Sequence, residues 1–252
     1  MPDIIVKVDN LHKSYGSKEA VRGISFEVKK GETFGILGPN GAGKTTTLEM
    51  IETLRTIDEG KVTVDGVNVA EHPQKIRYMI GVQTQSTAFM DKVKLTELLE
   101  QQAAAYAERI DPMELLRQVD LEEKASSYIE DLSGGQKQRF SIAAALVHRP
   151  KVFFLDEPTT GLDPQARRRL WDLIRKVRRE GMTVILTTHY MEEAEELCHR
   201  VAIMDEGKIV ALDSPKNLIK QLLGRGFKKE RRVEQADLED VFLDLTGKRL
   251  GN

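Results

Sequence analysis

A glycine-rich stretch early in the chain has the residue types that bind phosphate. It matches the pattern G-x-x-x-x-G-K-[ST], is followed by Thr46, and consists of Gly38, Pro39, Asn40, Gly41, Ala42, Gly43, Lys44 and Thr45. Glycines let successive backbone N–H groups turn toward an anion, and a following helix adds the positive end of its dipole. In this pattern the lysine contacts the terminal phosphates and the threonine hydroxyl holds Mg²⁺. The stretch predicts a site for ATP or GTP with Mg²⁺.

Two adjacent carboxylates follow the apolar run at residues 152–155. Asp156 and Glu157 come at the end of this predicted strand, and Pro158 then turns the chain away. Ligands of open α/β sheets collect at the carboxyl ends of strands, so Asp156 is predicted to hold Mg²⁺, directly or through water. An isolated Glu157 would be interpreted as a solvated acid. Beside a phosphate loop, it is predicted to be the general base that deprotonates the water attacking the γ-phosphate.

A second anion seat is predicted just before another helix. Its residues are Ser133, Gly134, Gly135 and Gln136. Small residues, free N–H groups at a helix N-terminus and a serine hydroxyl all favour an anion. One nucleotide does not need two such seats, so either the chain binds two nucleotides or the second seat completes a site on another copy. In a two-fold dimer, each seat could close over the nucleotide held by the other copy.

The order of these motifs identifies a family resemblance. LSGGQ lies between the phosphate loop and LDEP, and over residues 4–218 the chain resembles the ATP-binding subunits of ATP-binding cassette (ABC) transporters. The resemblance implies an α/β fold: a P-loop NTPase (RecA-like) core with an antiparallel β subdomain and an inserted α-helical subdomain. It also implies ATP and Mg²⁺ as ligands, ATP hydrolysis, an ATP-sandwich homodimer and an integral-membrane permease as partner.

The resemblance assigns roles to further residues. Tyr15 matches the aromatic residue that stacks on adenine, although an isolated tyrosine could equally be a packing residue. Gln85 matches the glutamine that contacts Mg²⁺ and the attacking water; Gln83 is a nearby competitor that the spacing disfavours. Asp163 matches the aspartate that crosses the dimer interface, and His189 matches the histidine that contacts the γ-phosphate.

The pattern of helices and strands predicts a division of the chain. Strands alternating with helices imply a parallel sheet covered on both faces. We predict a nucleotide-binding core with an N-terminal β subdomain at 1–85 and 148–218, a helical subdomain carrying LSGGQ at 86–147, and a C-terminal extension at 219–252. The predicted strands include 4–8, 24–28, 33–37, 152–155 and 183–188, and the predicted helices include 95–109, 165–180, 190–199 and a short one near the C-terminus.

Composition restricts the class of protein. The 252 residues are 40% apolar and 31% charged with a net charge of -2, which is typical of a globular protein and does not indicate nucleic-acid binding. The basic run at 167–179 is interpreted as the solvated face of an amphipathic helix. The single cysteine, Cys198, is predicted to pack internally and fits a reducing cytosol. Without a signal-like start or a membrane-length apolar run, we expect a cytoplasmic protein held at the inner face of the cell membrane through its permease.

The last third of the chain indicates a branch of the family. TTHYMEEAEELCHRVAIMDEGKIVA and LEDVFLDLTG resemble the daunorubicin-resistance-type ATPases that drive drug, polysaccharide and lipid exporters. The acids early in the predicted helix of the first segment, with His199 and Arg200 late in it, are interpreted as suiting the helix dipole rather than as a metal site. The resemblance predicts an ATPase subunit that energises such an exporter. The alternative is a soluble ABC-family ATPase that does mechanical work on a non-transport complex.

Overall fold

The structure is a computed structural model that describes residues 3–83, 89–227 and 238–247. Its strands in chain order are β1 (Ile4–Tyr15), β2 (Lys18–Lys29), β3 (Thr33–Leu37), β4 (Glu59–Val64), β5 (Val67–Asn68), β6 (Ile80–Gln83), β7 (Val152–Asp156), β8 (Thr183–Thr188), β9 (Arg200–Asp205) and β10 (Lys208–Asp213). Its helices are α1 (Lys44–Ile51), α2 (Pro73–Arg77), α3 (Leu95–Ala105), α4 (Pro112–Gln118), α5 (Gly134–Ala145), α6 (Pro164–Arg179), α7 (Met191–Leu197), α8 (Pro215–Gly224) and α9 (Leu238–Thr246).

A six-stranded sheet positions the predicted chemistry. Its strand order is β10-β9-β3-β8-β7-β6. The strands from β9 to β6 in this order are parallel, and β10 pairs antiparallel with β9. Strands β3, β7 and β8 are almost continuously buried, as expected for a parallel sheet covered on both faces. The phosphate loop leaves β3, Asp156 ends β7 and His189 follows β8. Parallel pairing therefore brings all three to one edge of the sheet.

A four-stranded antiparallel sheet, ordered β2-β1-β4-β5, packs against one face of the larger sheet together with α1. Phe26 of β2 stacks on Phe34 of β3 with ring centroids 5.1 Å apart. A second core on the opposite face joins α5, α6 and α7 to the sheet, and includes Phe140, Phe153 and Trp171. The predicted α/β fold with an antiparallel β subdomain is confirmed.

The first hairpin is longer than its sequence pattern predicts. Strands β1 and β2 pair from Ile4 with Lys29 to Tyr15 with Lys18, whereas only 4–8 and 24–28 were predicted as strands. Register shifts, among them one between Val8 and Leu11, break the apolar alternation that would have indicated a strand. The extended hairpin places Tyr15 at its tip.

Three helices, α3 to α5, lie between β6 and β7. Helix α3 ends at Ala105 rather than at the predicted residue 109, because Ala107 has a φ of 56° in the left-handed region, where an α-helix cannot continue. Among the described residues, no helix is both long and apolar enough to cross a bilayer.

Near the C-terminus, α8 runs through the predicted boundary at residue 218. The predicted short helix near the C-terminus is confirmed as α9. Helix α8 contacts both α9 and β10, so α9 packs back onto the end of the larger sheet.

Candidate functional site

The phosphate loop turns sharply between β3 and α1, and two of its glycines are required by the geometry. Gly43 has a φ of 100°, and a Cβ there would lie 2.4 Å from the carbonyl oxygen of Ala20. A Cβ at Gly38 would lie 2.3 Å from the carbonyl oxygen of Met204. Both approaches are closer than carbon and oxygen tolerate, so the chain can pack the loop this tightly only with glycine.

The loop borders a cavity of about 660 Å³, which we call the loop cavity. It is lined by Tyr15, Lys18, Ala20, Asn40, Gly41, Gly43, Lys44, Thr45, Thr46, Glu157, Thr160 and His189. Pro39 and Ala42, like Gly38, are not among its lining residues. They support the turn, since the Ala42 N–H donates to the Pro39 carbonyl at 3.2 Å.

Lys44 and Glu157 form a buried ion pair inside this cavity. The Lys44 Nζ atom lies 3.3 Å from the Glu157 Oε1 atom, and the two side chains are 4% and 8% exposed. Lys44 also donates to the carbonyl oxygens of Gly38 at 2.8 Å and Pro39 at 3.2 Å. The lysine is thus held at the loop by three oxygen atoms, only one of which carries charge.

The carboxyl of Glu157 remains a base despite its burial. Burial raises its pKa, but Lys44 and His189 more than offset this, and the pKa is lowered from its ordinary value. The His189 Nδ1 atom lies 3.2 Å from Oε2 of Glu157. With a lowered pKa, the carboxylate stays ionised at neutral pH and loses its charge only in acid. It can therefore accept a proton.

The backbone of Glu157 is in an uncommon conformation. Its φ is 48°, in the left-handed region that non-glycine residues seldom adopt. The Glu157 N–H donates to the Thr187 carbonyl at 3.2 Å and to the Thr187 hydroxyl at 3.0 Å, which holds this conformation. Such strain persists where surrounding structure fixes it, and it is concentrated at functional positions.

Asp156 and Thr45 form the pair predicted to hold Mg²⁺. The Thr45 Oγ1 atom lies 3.3 Å from both carboxylate oxygens of Asp156, and the Thr187 hydroxyl donates to the same carboxylate. Burial raises the pKa of Asp156, only partly offset by the Thr187 hydrogen bond. A divalent cation beside this carboxylate would compensate for the desolvation, so the pair fits Mg²⁺.

A metal at this pair would need further oxygen ligands. Within the described ranges, no three His, Cys, Asp or Glu side chains form a group that could hold a metal ion. Mg²⁺ commonly binds through one or two protein oxygens together with waters and nucleotide phosphates. The arrangement is therefore suited to a metal that arrives with a nucleotide.

The second anion seat lies in a cavity of its own, which we call the seat cavity. It has a volume of about 260 Å³ and is lined by Ser133, Gly134, Gly135, Gln136, Arg139, Gly161, Leu162, Asp163, Gln165, Ala166 and Arg169. Ser133 caps α5 and exchanges hydrogen bonds with Gln136, and Asp163 caps α6 through the N–H groups of Gln165 and Ala166 at 2.9 Å. Two helix N-termini therefore meet there.

The two cavities share no lining residue. The loop cavity is lined by most of the described residues that are predicted to contact the chain's own nucleotide. The seat cavity contains the seat and Asp163, the two features predicted to act on the nucleotide of another copy. The two sets of predicted residues therefore lie in separate cavities.

One predicted residue, Gln85, lies outside the described residues. Its competitor Gln83 ends β6 opposite Leu155 of β7 and is 1% exposed. The sequence reasoning overlooked Thr160, whose hydroxyl donates to Glu157 Oε2 at 3.3 Å, and Thr187. Threonines in a buried strand or a turn are common, and only their position beside the carboxylates reveals a role.

Tyr15 is 41% exposed at the mouth of the loop cavity. The Arg55 guanidinium carbon lies 5.4 Å from its ring centroid, and the Lys13 Nζ atom lies 5.8 Å from it. An exposed ring beside the phosphate loop could stack on a base.

Comparison with known proteins identifies relatives along most of the chain. The family model described as ABC transporter matches residues 21–160. The linearmycin resistance ATP-binding protein of Bacillus subtilis (strain 168) is 41% identical over 225 residues, covering 87% of this chain and 72% of that protein. The Nod factor export ATP-binding protein I of Paraburkholderia xenovorans (strain LB400) is 42% identical over 231 residues, covering 89% and 75%.

Solved structures of ATP-binding cassettes also resemble this chain. A structure described as the ATP binding subunit of an ABC transporter superposes with a TM-score of 0.82 at 28% identity, covering 96% of this chain and 99% of that one. A dimeric ATP-binding cassette in a post-hydrolysis state, bound to ADP and Pi, superposes with a TM-score of 0.75 at 28% identity, covering 83% and 98%.

Proposed function

Because the chain belongs to the ABC transporter family and is an ATP-binding, ATP-hydrolysing subunit, we propose that two copies close around two ATP molecules to energise export through a separate permease. The observation that carries the proposal is the separation of the loop cavity from the seat cavity within one chain. In a two-fold dimer, the seat cavity of each copy would cover the loop cavity of the other. Each γ-phosphate would then contact both copies, and its cleavage would remove contacts that favour closure.

The buried ion pair suggests how ATP binding readies the base. Lys44 is predicted to contact the terminal phosphates of ATP. The phosphate oxygens would then replace Glu157 as the partner of its ammonium group. The Glu157 carboxylate would then orient and deprotonate the attacking water. His189, which lies beside Glu157, would contact the γ-phosphate. Thr45 and Asp156 would hold Mg²⁺, which neutralises charge on the phosphates. Gln85 stays a predicted ligand of Mg²⁺ and water.

The nature of the transported molecule is proposed from the relatives. Their names include linearmycin resistance and Nod factor export, which supports export, and the resemblance of the last third of the chain adds a drug, lipid or polysaccharide as the expected cargo. A separate integral-membrane permease would dock on the predicted helical subdomain at 86–147 and hold the subunit at the inner face of the membrane. Copurification of the subunit from membranes with a polytopic protein tests this proposal. If the subunit does not bind that protein at all, the alternative of a non-transport complex is favoured.

A substitution at Gly134 tests the shared site. A Cβ at Gly134 would meet no described atom of its own chain within 4 Å, and the residue begins α5, where alanine is preferred to glycine. We expect Gly134→Ala to fold with an unchanged or higher melting temperature and to bind ATP normally. Because the added methyl group would face the partner's phosphate, ATP turnover should fall by about tenfold or more.

Gly224→Ala is the matched control. Gly224 ends α8, and a Cβ there also meets no described atom within 4 Å. Steady-state ATPase rates and calorimetric melting of both variants give the answer. If Gly134→Ala and Gly224→Ala both hydrolyse ATP at the wild-type rate, the result argues against a partner copy at the seat cavity.

His189→Ala is expected to bind ATP but to hydrolyse it about 10- to 100-fold more slowly. The imidazole lies 3.2 Å from Glu157 and lines the loop cavity, where it can contact the γ-phosphate. Single-turnover hydrolysis with a parallel ATP titration measures the effect. His72→Ala, which alters an exposed histidine before α2, is the control and should match the wild type.

A further inference from the structure

One fully buried carboxyl lies outside both cavities. Glu193 of α7 is 0% exposed, and its Oε1 atom accepts a hydrogen bond from the Trp171 indole Nε1 at 3.0 Å. The sequence pattern predicted only that this glutamate is one of several acids at a helix start that suit the helix dipole, and it did not indicate that the side chain is buried. The side chain points into the core between α6 and α7, where a carboxyl needs a structural or functional reason.

The surroundings of Glu193 disfavour the charged form of its carboxyl. Burial raises the pKa, and the opposing effects of Thr188, Trp171, Thr159 and Arg167 do not cancel that rise. No ion pair to Glu193 exists within the described part of the chain. A protonated carboxyl accepts through one oxygen and donates through the other, so it can link a donor such as Trp171 to an acceptor.

Several polar atoms of this cluster lack a hydrogen bond of good geometry. Oε2 of Glu193, Oγ1 of Thr159 and Nε of Arg167 are buried without such a bond among the described residues, although Thr188 and Thr159 lie close enough to the carboxyl to oppose the rise of its pKa. Each such atom costs about 1–3 kcal/mol relative to a bonded one. An apolar side chain at 193 would remove one of them, so the cluster is not explained by stability alone.

The position of the cluster gives it a connection to the site. Thr188, next to Glu193, directly precedes His189, and its hydroxyl accepts the Tyr190 N–H at 2.9 Å. Thr159 lies in the segment between Glu157 and Asp163. Trp171 is on α6, the helix that Asp163 caps. One buried side chain therefore adjoins the three segments that carry the proposed base, the γ-phosphate contact and the interface aspartate.

We propose that Glu193 is a positioning residue that holds His189 and the segment from Glu157 to Asp163 in register through its buried, hydrogen-bonded carboxyl. It touches neither nucleotide nor water itself. Its hydrogen bond to Trp171 anchors α7 to α6, and its carboxyl also lies beside Thr188, which ends β8, and Thr159. The inference rests on the proposed roles of Glu157, Asp163 and His189.

Two substitutions at position 193 test this role. Glu193→Gln preserves the shape, the acceptor and a donor, whereas Glu193→Ala removes both. We expect Glu193→Ala to lower kcat by about 10- to 100-fold with the KM for ATP changed less than about threefold, because misplaced groups slow chemistry more than binding. Glu193→Gln should restore kcat to within about threefold of the wild type, because the amide keeps an acceptor for Trp171 and a donor on its other side.

Trp171→Phe covers the case in which Glu193→Ala fails to fold. It retains most of the ring packing and removes only the N–H donor, and we expect a smaller loss of kcat, about three- to tenfold, at unchanged KM. Circular dichroism and melting of each variant separate loss of fold from loss of register.

The inference is overturned if folded Glu193→Ala or Trp171→Phe hydrolyses ATP at the wild-type kcat, or if Glu193→Gln is as slow as Glu193→Ala. His189→Ala measured alongside separates this failure from failure of the proposed function. A slow His189→Ala with a fast Glu193→Ala removes only the positioning role, whereas a fast His189→Ala removes the role of the histidine itself.

Discussion

Glu157→Gln is expected to bind ATP and to lose about 10²- to 10⁴-fold in turnover, the range that a general base supplies. The amide retains the shape of the side chain and an oxygen that can accept from Lys44, so the loop cavity should keep its form. An amide does not accept a proton from water at neutral pH. Because hydrolysis is what would reopen the closed pair, the variant should also accumulate as a dimer in ATP and Mg²⁺.

The measurement combines steady-state phosphate release with size-exclusion chromatography, each with and without ATP. Glu180→Gln changes an exposed acid at the end of α6 and is the control for loss of one charge. Turnover by Glu157→Gln at the wild-type rate would show that the base assignment is wrong.

Lys44→Ala is expected to lower ATP affinity by about 10²-fold or more, in keeping with about 2–5 kcal/mol for truncating a buried charge partner. The ammonium lies in the loop cavity, where the phosphates are expected. It also lowers the pKa of Glu157, so its loss shifts that pKa upward and weakens the carboxylate's preference for the ionised form.

Equilibrium binding of a fluorescent ATP analogue measures this loss. Lys151→Ala is the control, because Lys151 is an exposed lysine paired with Asp65 far from the phosphate loop in sequence. Tight binding by Lys44→Ala would contradict its assignment to the terminal phosphates.

The sequence predicts best those parts of the site whose residues lie close together along the chain. The phosphate loop and the adjacent Asp156 and Glu157 each follow a buried strand, and the fold of parallel strands then brings them together. The spacing of residues in the sequence does not predict that Ser133 and Asp163 line the same cavity. That arrangement depends on two helix starts packing together, with a Cβ at Gly135 only 3.0 Å from Ala166 Cβ.

Other features were hidden because local pattern and tertiary environment disagree. Four acids in a seven-residue helix indicate solvent, and only the packing of Trp171 shows that Glu193 is inside. Arg167 was assigned to a solvated face, yet its guanidinium carbon lies 4.7 Å from the Tyr190 ring centroid. Cys198, in contrast, is buried as predicted.

Mixing two impaired variants tests most directly whether each ATP site is built by two copies. Lys44→Ala damages only the loop cavity, and Gly134→Ala damages only the seat cavity. In a mixed dimer, one site would combine the intact loop of one copy with the intact seat of the other. Random pairing makes half of the dimers mixed, so equal amounts should recover about a quarter of the wild-type ATPase rate.

Lys44→Ala mixed with Glu157→Gln is the control, because both changes lie in the loop cavity and no mixed dimer gains an intact site. We predict recovery in the first mixture and none in the second. If the first mixture is no more active than the sum of its parts, the seat acts within its own chain or not at all, and the shared-site account is wrong.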